Sequence, residues 1–368
     1  MVDRQLFLHI NWTILFIVLL LFVAGVLNLY SASAFRIGEG TALTPFYKRQ
    51  VIWGGIGLLA MIATMLFDYR HLKNSSWFLY LASIVLLVAV FFWGRTIYGA
   101  QRWLDLGFFH FQPSEVAKIG VLLVTAAFLS RINHPLGFKD MFQAMIIVII
   151  PAYLIAGQPD LGSALLLFFL MAGMVAYQGI RKDIFKTLVV TIPMLIPLGW
   201  IFLKDYQKVR LLSFLNPEQD PLGSGYHIIQ SQIAIGSGRF WGKGFMEGTQ
   251  SQLRFLPEKH TDFAFSVFGE EWGFIGAIVL LFLFCAFLYQ IFLCSGEAKD
   301  KFGTMLCVGV FFYFFWQILI NIGMVLGLMP VVGVPLPFVS YGGTSLLVNF
   351  IMTGLVLNVS MRRFMFKS

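Results

Sequence analysis

The sequence predicts an all-α polytopic membrane protein: about ten transmembrane helices, with a large extracytoplasmic loop before the eighth. Two observations carry that class. Hydrophobic residues fill 58% of the 368 positions and charged residues 12%, with a mean hydropathy of +0.81, a balance that no soluble domain with a charged surface shares. Apolar runs long enough to cross a bilayer, about 17 to 25 residues as helix, recur along the whole chain, and 35 glycines suit close helix packing. A β-barrel would show short alternating strands instead.

Taken in order, the runs between polar breaks are 13–29, 51–67, 77–93, 116–129, 144–155, 161–177, 184–203, 263–293, 305–328 and 346–359. The first is followed by "SASA", which imitates a signal-peptide cleavage site, but it is too long for a signal core and is expected to be a retained span. The fifth is short and carries Pro151. Arg70, Lys73, Arg131, Lys139, Arg181, Lys182, Lys186, Lys299, Lys301, Arg362 and Arg363 fall in loops on one side, joined by Arg4. That side is expected to be cytoplasmic, with both termini. The net charge of +8 is accounted for in this way. No nucleic-acid partner is expected, because no basic run is interleaved with stacking aromatics in a soluble segment. Cys285, Cys294 and Cys307 lie in or beside apolar segments without metal-ligand spacing.

The opposite loops hold the unusual sequence. The longest, 204–262, carries seven Lys and Arg against the orientation trend, and a polar connection of that length is more often functional than filler. Within it "GYHIIQSQIAI" reads either as an amphipathic helix on the membrane interface or as a loop helix packed on the bundle. No internal repeat is visible, so nothing announces the inverted repeats of transporters.

Asp262 directly precedes the eighth run. One reading is a helix N-cap, where the dipole would hold its pKa low. The other is a general base at headgroup height, surrounded by Glu258, Lys259, His260 and Thr261. Glu115 and Lys118 sit three apart on one face of the fourth span. A charge inside a span costs about 2.5 to 3.5 kcal/mol, so the pair either clamps helices together or lines a wet cavity. Asp160 in "QPDLGS" is a second N-cap candidate or part of the same cavity. Arg102 offers a planar fork for phosphate, whereas Trp103 beside it suits the headgroup zone without any function. In "SYGGTS", Thr344 and Ser345 follow two glycines that make either a tight turn or an anion-holding helix start. The histidines show no metal-ligand spacing. On these residues alone a transferase and a transporter remain open.

The motifs "GAQRWLDLG", "FQPSEVAK", "QPDLGSALL", "FLNPEQDPLGSGYHIIQSQIAIGSG", "GKGFMEGTQSQLRFLPEKHTDFAF" and "PFVSYGGTSLL" together resemble the SEDS family (shape, elongation, division and sporulation). They run over nearly the whole chain in the family's order. "GTQSQL" before "LPEKHTDF", and Thr344 in "YGGTS", are similar to the elongation members rather than the division members. Ser163 stands where Thr is more usual, which keeps the hydroxyl. The resemblance implies a peptidoglycan glycosyltransferase that polymerises lipid II, a lipid-pyrophosphate-linked disaccharide pentapeptide, at the outer face of the bacterial cytoplasmic membrane. It implies Asp262 as the essential acid, and Arg102, Trp103, Glu115, Lys118 and Asp160 on other motif positions; His260, Thr344 and Ser345 join them as expected substrate-binding residues. It also implies a divalent cation, Mg²⁺ or Mn²⁺, a class B penicillin-binding protein as partner, and the elongation machinery around both. The expected lipid groove opens sideways to the bilayer, with 204–262 as a mobile cover. The rival reading is a lipid II flippase, and a third is a scaffold that only docks the transpeptidase.

Overall fold

The structure, a computed structural model, describes residues 9–38, 45–97, 100–105, 107, 110–202, 205–217, 223–253, 255–256 and 258–363. Arg4, Lys204 and the stretch 218–222 of the long loop lie outside the described residues. Thirteen helices are described: α1 (Trp12–Gly38), α2 (Phe46–Leu66), α3 (Tyr69–Trp93), α4 (Pro113–Leu129), α5 (Phe138–Gly157), α6 (Leu161–Gln178), α7 (Lys182–Phe202), α8 (Asp205–Leu215), α9 (Ser224–Ser237), α10 (Thr249–Gln252), α11 (Ala264–Gly296), α12 (Lys301–Val325) and α13 (Gly343–Met361). Among the described residues nine of these are at least 18 residues long and apolar enough to cross a membrane. α4, at 17 residues, is the tenth expected span; at about 1.5 Å per residue it still reaches across most of the hydrocarbon. The protein is a multi-pass membrane protein.

Local chemistry sets the helix starts. Asp68 caps α3 by accepting from the Arg70 N–H at 2.9 Å. Asp140 reaches back to the Gly137 N–H at 2.9 Å to open α5, and Pro113 opens α4, where its missing N–H costs nothing. α12 and α13 form the centre, with 67% and 89% of their apolar windows buried, and α2 and α3 lie outside them at 28% each. Only 7% of the α7 window is buried, so α7 faces the surroundings on nearly every side. Pro151 sits inside a continuous α5 of 20 residues.

At one end of the bundle the basic residues meet helix C-termini. The buried Arg362 donates to the Met65 and Leu66 carbonyls at 3.1 Å each, closing α2. Arg363 pairs with Glu297, and Lys301 donates to the Ile132 carbonyl. The other end carries a feature the purely helical reading did not foresee. Strands β1 (Gly94–Ile97), β2 (Ala100–Asp105) and β3 (His110–Phe111) form an antiparallel sheet in that order, with a register irregularity at Arg95/Thr96. Arg95 pairs with Asp105 at 2.9 Å across the exposed strands.

The "GYHIIQSQIAI" segment, α9, packs on the bundle rather than lying free on the interface. Its buried Ser231 contacts Ser266 of α11 at 3.0 Å and donates to the Val325 carbonyl of α12 at 2.5 Å, and Gln232 donates to the Leu326 carbonyl at 3.1 Å. Ile228 is buried with these polar contacts and Ile235 packs on the core, so of the two readings the loop helix packed on the bundle is the one that holds. α11 is broken at Gly273 (φ 62°, ψ −160°). There the loop after α9 wedges in: Phe274 and Ile275 donate to the carbonyls of Arg239 and Phe240. That conformation is open essentially to glycine alone, and a Cβ at Gly273 would stand 2.2 Å from the Gly242 nitrogen. Gly273→Ala should therefore lower stability by about 1–3 kcal/mol, read as a drop in the melting temperature of the purified protein. Gly55→Ala, inside α2 where an added Cβ meets nothing within 4 Å, should not lower it, since alanine is favoured over glycine in a helix interior by about 0.5–1 kcal/mol.

Candidate active site

The site lies at the sheet-bearing end of the bundle. Its floor is the start of α4. Gln112 precedes that helix and donates to Asp160 Oδ2 at 3.3 Å, and Ser114 donates to the same oxygen at 3.5 Å. The other oxygen of Asp160 accepts from the Ser163 N–H at 3.2 Å and caps α6. Asp160 is thus the N-cap of α6, the first of the two positions the sequence offers. Arg102 extends from β2 to the Gln158 carbonyl at 3.1 Å and to the Pro159 carbonyl, which ties the sheet to the α5–α6 turn.

One turn into α4, Glu115 and Lys118 make a buried pair at 2.6 Å. Both charges belong to one helix, so the pair is no interhelical clamp; its neutralisation is local. The Lys118 ammonium also lies 5.6 Å from the centre of the Tyr313 ring of α12, and the second Glu115 oxygen is buried without a hydrogen-bond partner among the described residues.

Asp262 comes from the other side, on the turn 258–263 that leads into α11. The N-cap of α11 is Phe263, which makes no side-chain cap bond, so Asp262 does not cap the helix. Its Oδ2 stands 3.4 Å from where a Cβ on Gly333 would lie, beneath the loop "VVGV" after α12. The pKa also differs from the expectation. Removal from water and the neighbouring Glu258 charge raise it to about 6, against the opposing pull of Arg210 and Arg102, while Asp160 adds to the rise. The helix dipole does not set this carboxylate; its desolvation and the carboxylates around it do.

Arg102, Asp160 and Asp262 therefore share one electrostatic neighbourhood, with Glu115 and Lys118 beneath Asp160. The remaining expected residues stand apart from Asp262 in what they touch. Trp103 follows Arg102 in β2 and pairs with Arg95 of β1, with Arg102 as the extra residue at the register irregularity. His260 stacks on Phe46 at 4.1 Å and 11°, with Nε2 3.7 Å from Glu258. Thr344 accepts from the Gln112 N–H and donates to the His110 carbonyl, both at 3.4 Å, joining α13 to β3; Ser345 is buried beside it.

Three contributors escaped the sequence reading: Arg210 of α8, Gln112 and Asn321. Arg210 donates to the Val331 carbonyl at 3.5 Å. It sat unremarked among the basic residues of a long loop, and only the return of that loop over the site gives it a role. Gln112 stood in the quoted "FQPSE" but bears no charge to draw notice. Among the described residues no group of three or more His, Cys, Asp and Glu side chains gathers as a metal cage. A cation here would meet at most one or two carboxylates, Asp160 and Asp262, and would have to take its other ligands from substrate phosphates.

The cell cycle protein family model of FtsW, RodA and SpoVE matches residues 11–364. The chain belongs to this family. Among its relatives, the peptidoglycan glycosyltransferase MrdB of Escherichia coli K12 is 42% identical over 356 residues, covering 96% of this chain and 94% of that one. The peptidoglycan glycosyltransferase RodA of Treponema pallidum is 31% identical over 425 residues, covering 96% and 98%. A chain of a peptidoglycan synthase complex, whose structure concerns the coordination of polymerization and crosslinking, superposes with a TM-score of 0.81 at 32% identity, covering 96% and 98%. The crystal structure of the rod shape determining protein RodA of Thermus thermophilus gives a TM-score of 0.72 at 29% identity, covering 97% and 98%.

The buried pair gives a test of its own. Removing one member leaves an uncompensated charge, whereas removing both leaves none, so Lys118→Met should cost about 3–5 kcal/mol of stability and Glu115→Gln with Lys118→Met distinctly less. Thermal or denaturant unfolding of the three proteins checks the order.

Proposed function

We infer that the chain is a peptidoglycan glycosyltransferase, and propose that it polymerises lipid II at the outer face of the cytoplasmic membrane with Asp262 as general base. The relatives named for this activity cover the chain almost end to end. The observation that carries the role of Asp262 is its setting: a half-buried carboxylate with its pKa raised to about 6, flanked by two arginines. A base works best when its pKa lies near the working pH, and a carboxylate in its ordinary range would be a weaker one.

The chemistry assigns the parts. A β-1,4 link made from an α-linked sugar pyrophosphate requires inversion at the anomeric carbon. The acceptor 4-hydroxyl attacks C1 from the face opposite the pyrophosphate, its O–H proton passes to Asp262, and the C1–O bond to the lipid pyrophosphate breaks. Negative charge then grows on the leaving group. Arg102 and Arg210 come to the same region from different elements, and fixed cationic donors aimed at developing charge are the usual means of lowering such a barrier. Lys118 stays committed to Glu115 at 2.6 Å and acts from below. A divalent cation, if recruited, would rest on Asp262 or Asp160 together with the substrate phosphates and add charge neutralisation there.

The polyprenyl tail needs a path that stays in hydrocarbon. The tail is proposed to lie in a groove open sideways to the bilayer. The clustering of basic residues at the opposite end of the bundle supports a cytoplasmic placement of that end and of both termini. A class B penicillin-binding protein, as the cross-linking partner, and the elongation machinery complete the proposal, supported by the likeness to a chain of a peptidoglycan synthase complex.

Asp262→Ala should abolish glycan-strand formation from lipid II by the purified protein while leaving its melting temperature near that of the wild type; loss of a general base costs roughly 10²–10⁴-fold. Long strands from the variant would reject the assignment, lipid II translocation without polymer would favour the flippase, and an unaffected cell would favour the scaffold. The same assay with a chelator tests the cation. The pH profile gives a second test. Asp262 must be ionised to accept a proton, so the rate should fall as pH drops through about 6 and level off above it. Glu258→Gln removes a negative neighbour, which lowers the Asp262 pKa and should move this acid limb to lower pH.

A further inference from the structure

Along α12, Tyr313, Gln317 and Asn321 recur every four residues and so share one face. All three are fully buried. Tyr313 donates to Asn349 at 2.9 Å and belongs to the interior of the bundle. Asn321 does something else. A side-chain amide has two N–H donors, and here both are used on backbone carbonyls of segments far apart in sequence: Asp262 at 3.0 Å and Val334 at 2.8 Å. The first lies on the turn that carries the reactive carboxylate. The second lies on the loop whose Gly333, at φ +73°, stands over that carboxylate without a side chain.

We infer that Asn321 is a positioning residue for the glycosyl transfer: its amide clamps the Asp262 backbone to the 331–334 loop and thereby sets where the carboxylate stands. The orientation of the amide is fixed by chemistry, since the flipped form would press Oδ1 against two carbonyl oxygens. In the observed form Oδ1 is buried with no hydrogen-bond partner among the described residues, so the residue holds this pose in spite of an unmet acceptor. Neither carbonyl lies in a regular helix, and Asp262 makes no cap contact that would hold it otherwise. The turn is also held by the Thr261 and Phe263 N–H groups on the Glu258 carbonyl and by the Tyr341 N–H on the His260 carbonyl; the bond from Asn321, 59 positions away in the chain, is made at Asp262 itself. Glu258, Asp160, Arg102 and Arg210 surround the carboxylate electrostatically, so a small displacement changes its surroundings as well as its reach.

The inference rests on the reading of Asp262 as the base. The test uses the full chain in proteoliposomes with lipid II, comparing wild type, Asn321→Leu, Asn321→Ser, Asn321→Gln and Asp262→Ala, with rates expressed per folded molecule. Misplacing a reactive group by about 1 Å can cost roughly 100-fold. Asn321→Leu and Asn321→Ser should therefore lose roughly 100-fold in kcat while KM for lipid II stays within about twofold. The acid limb of their pH profile should move by at least about half a pH unit, because the carboxylate leaves its present neighbours. Asn321→Gln keeps both donors and should recover at least about tenfold of the loss. The serine variant, which removes little volume, decides the matter if the leucine variant does not fold. Wild-type kcat in Asn321→Ser overturns the clamp, as does a loss that glutamine does not relieve and that leaves the pH limb in place. An inactive Asp262→Ala beside fully active Asn321 variants rejects the clamp alone. An active Asp262→Ala rejects the base itself.

Discussion

Hydrocarbon offers no hydrogen-bond partners, and that constraint organises the molecule. A polar group carried into the bundle is costly unless it meets a counterpart there. Arg362 finds the carbonyl end of α2, Tyr313 finds Asn349, and Ser231 finds Ser266 and the Val325 carbonyl. These pairings fix helix ends and crossings that dispersion between apolar faces would leave loosely defined. Polar residues that do not serve this purpose collect at the ends of the bundle, and one end becomes reactive.

At that end the architecture is a meeting of short irregular segments on rigid helix starts. The sheet delivers Arg102, the α5–α6 turn delivers Asp160, and the turn before α11 delivers Asp262. Each is tied to the bundle by hydrogen bonds: Arg102 donates to the Gln158 carbonyl, the Asp160 carboxylate accepts from the Ser163 N–H, and the Asp262 carbonyl accepts from Asn321. The broken α11 belongs to the same scheme. Its outer part, 264–272, is bonded to the loop that wedges in at Gly273, where the Lys243 and Gly244 N–H groups donate to the Glu270 and Glu271 carbonyls.

Much of this was legible in the sequence, because a bilayer imposes a length and a composition that few other settings share. The spans are recognisable as apolar runs, and even the run interrupted by Pro151 is a continuous helix. The motif residues Arg102, Glu115, Lys118, Asp160 and Asp262 stood out as charges beside hydrocarbon. What was not legible depended on where the chain returns in space. Arg210 reads as an ordinary loop cation until α8 folds back, and Asn321 reads as one polar residue in a long apolar run. Apolar spacing leaves open whether α9 lies on the interface or packs on the bundle, and only its bonds to α11 and α12 decide for packing. The titration of Asp262 ran opposite to the cap argument, because Phe263 takes the cap position and the carboxylate is left among other carboxylates away from water.

The Glu115–Lys118 pair has an electrical consequence. A transmembrane potential does work on net charge, about 2.3 kcal/mol per elementary charge for each 100 mV. Two opposite charges one turn apart on the same helix, 2.6 Å from each other, present almost none. A shift of α4 along the membrane normal would therefore gain or lose little from the voltage. This part of the protein is insulated from the energised state of the cell.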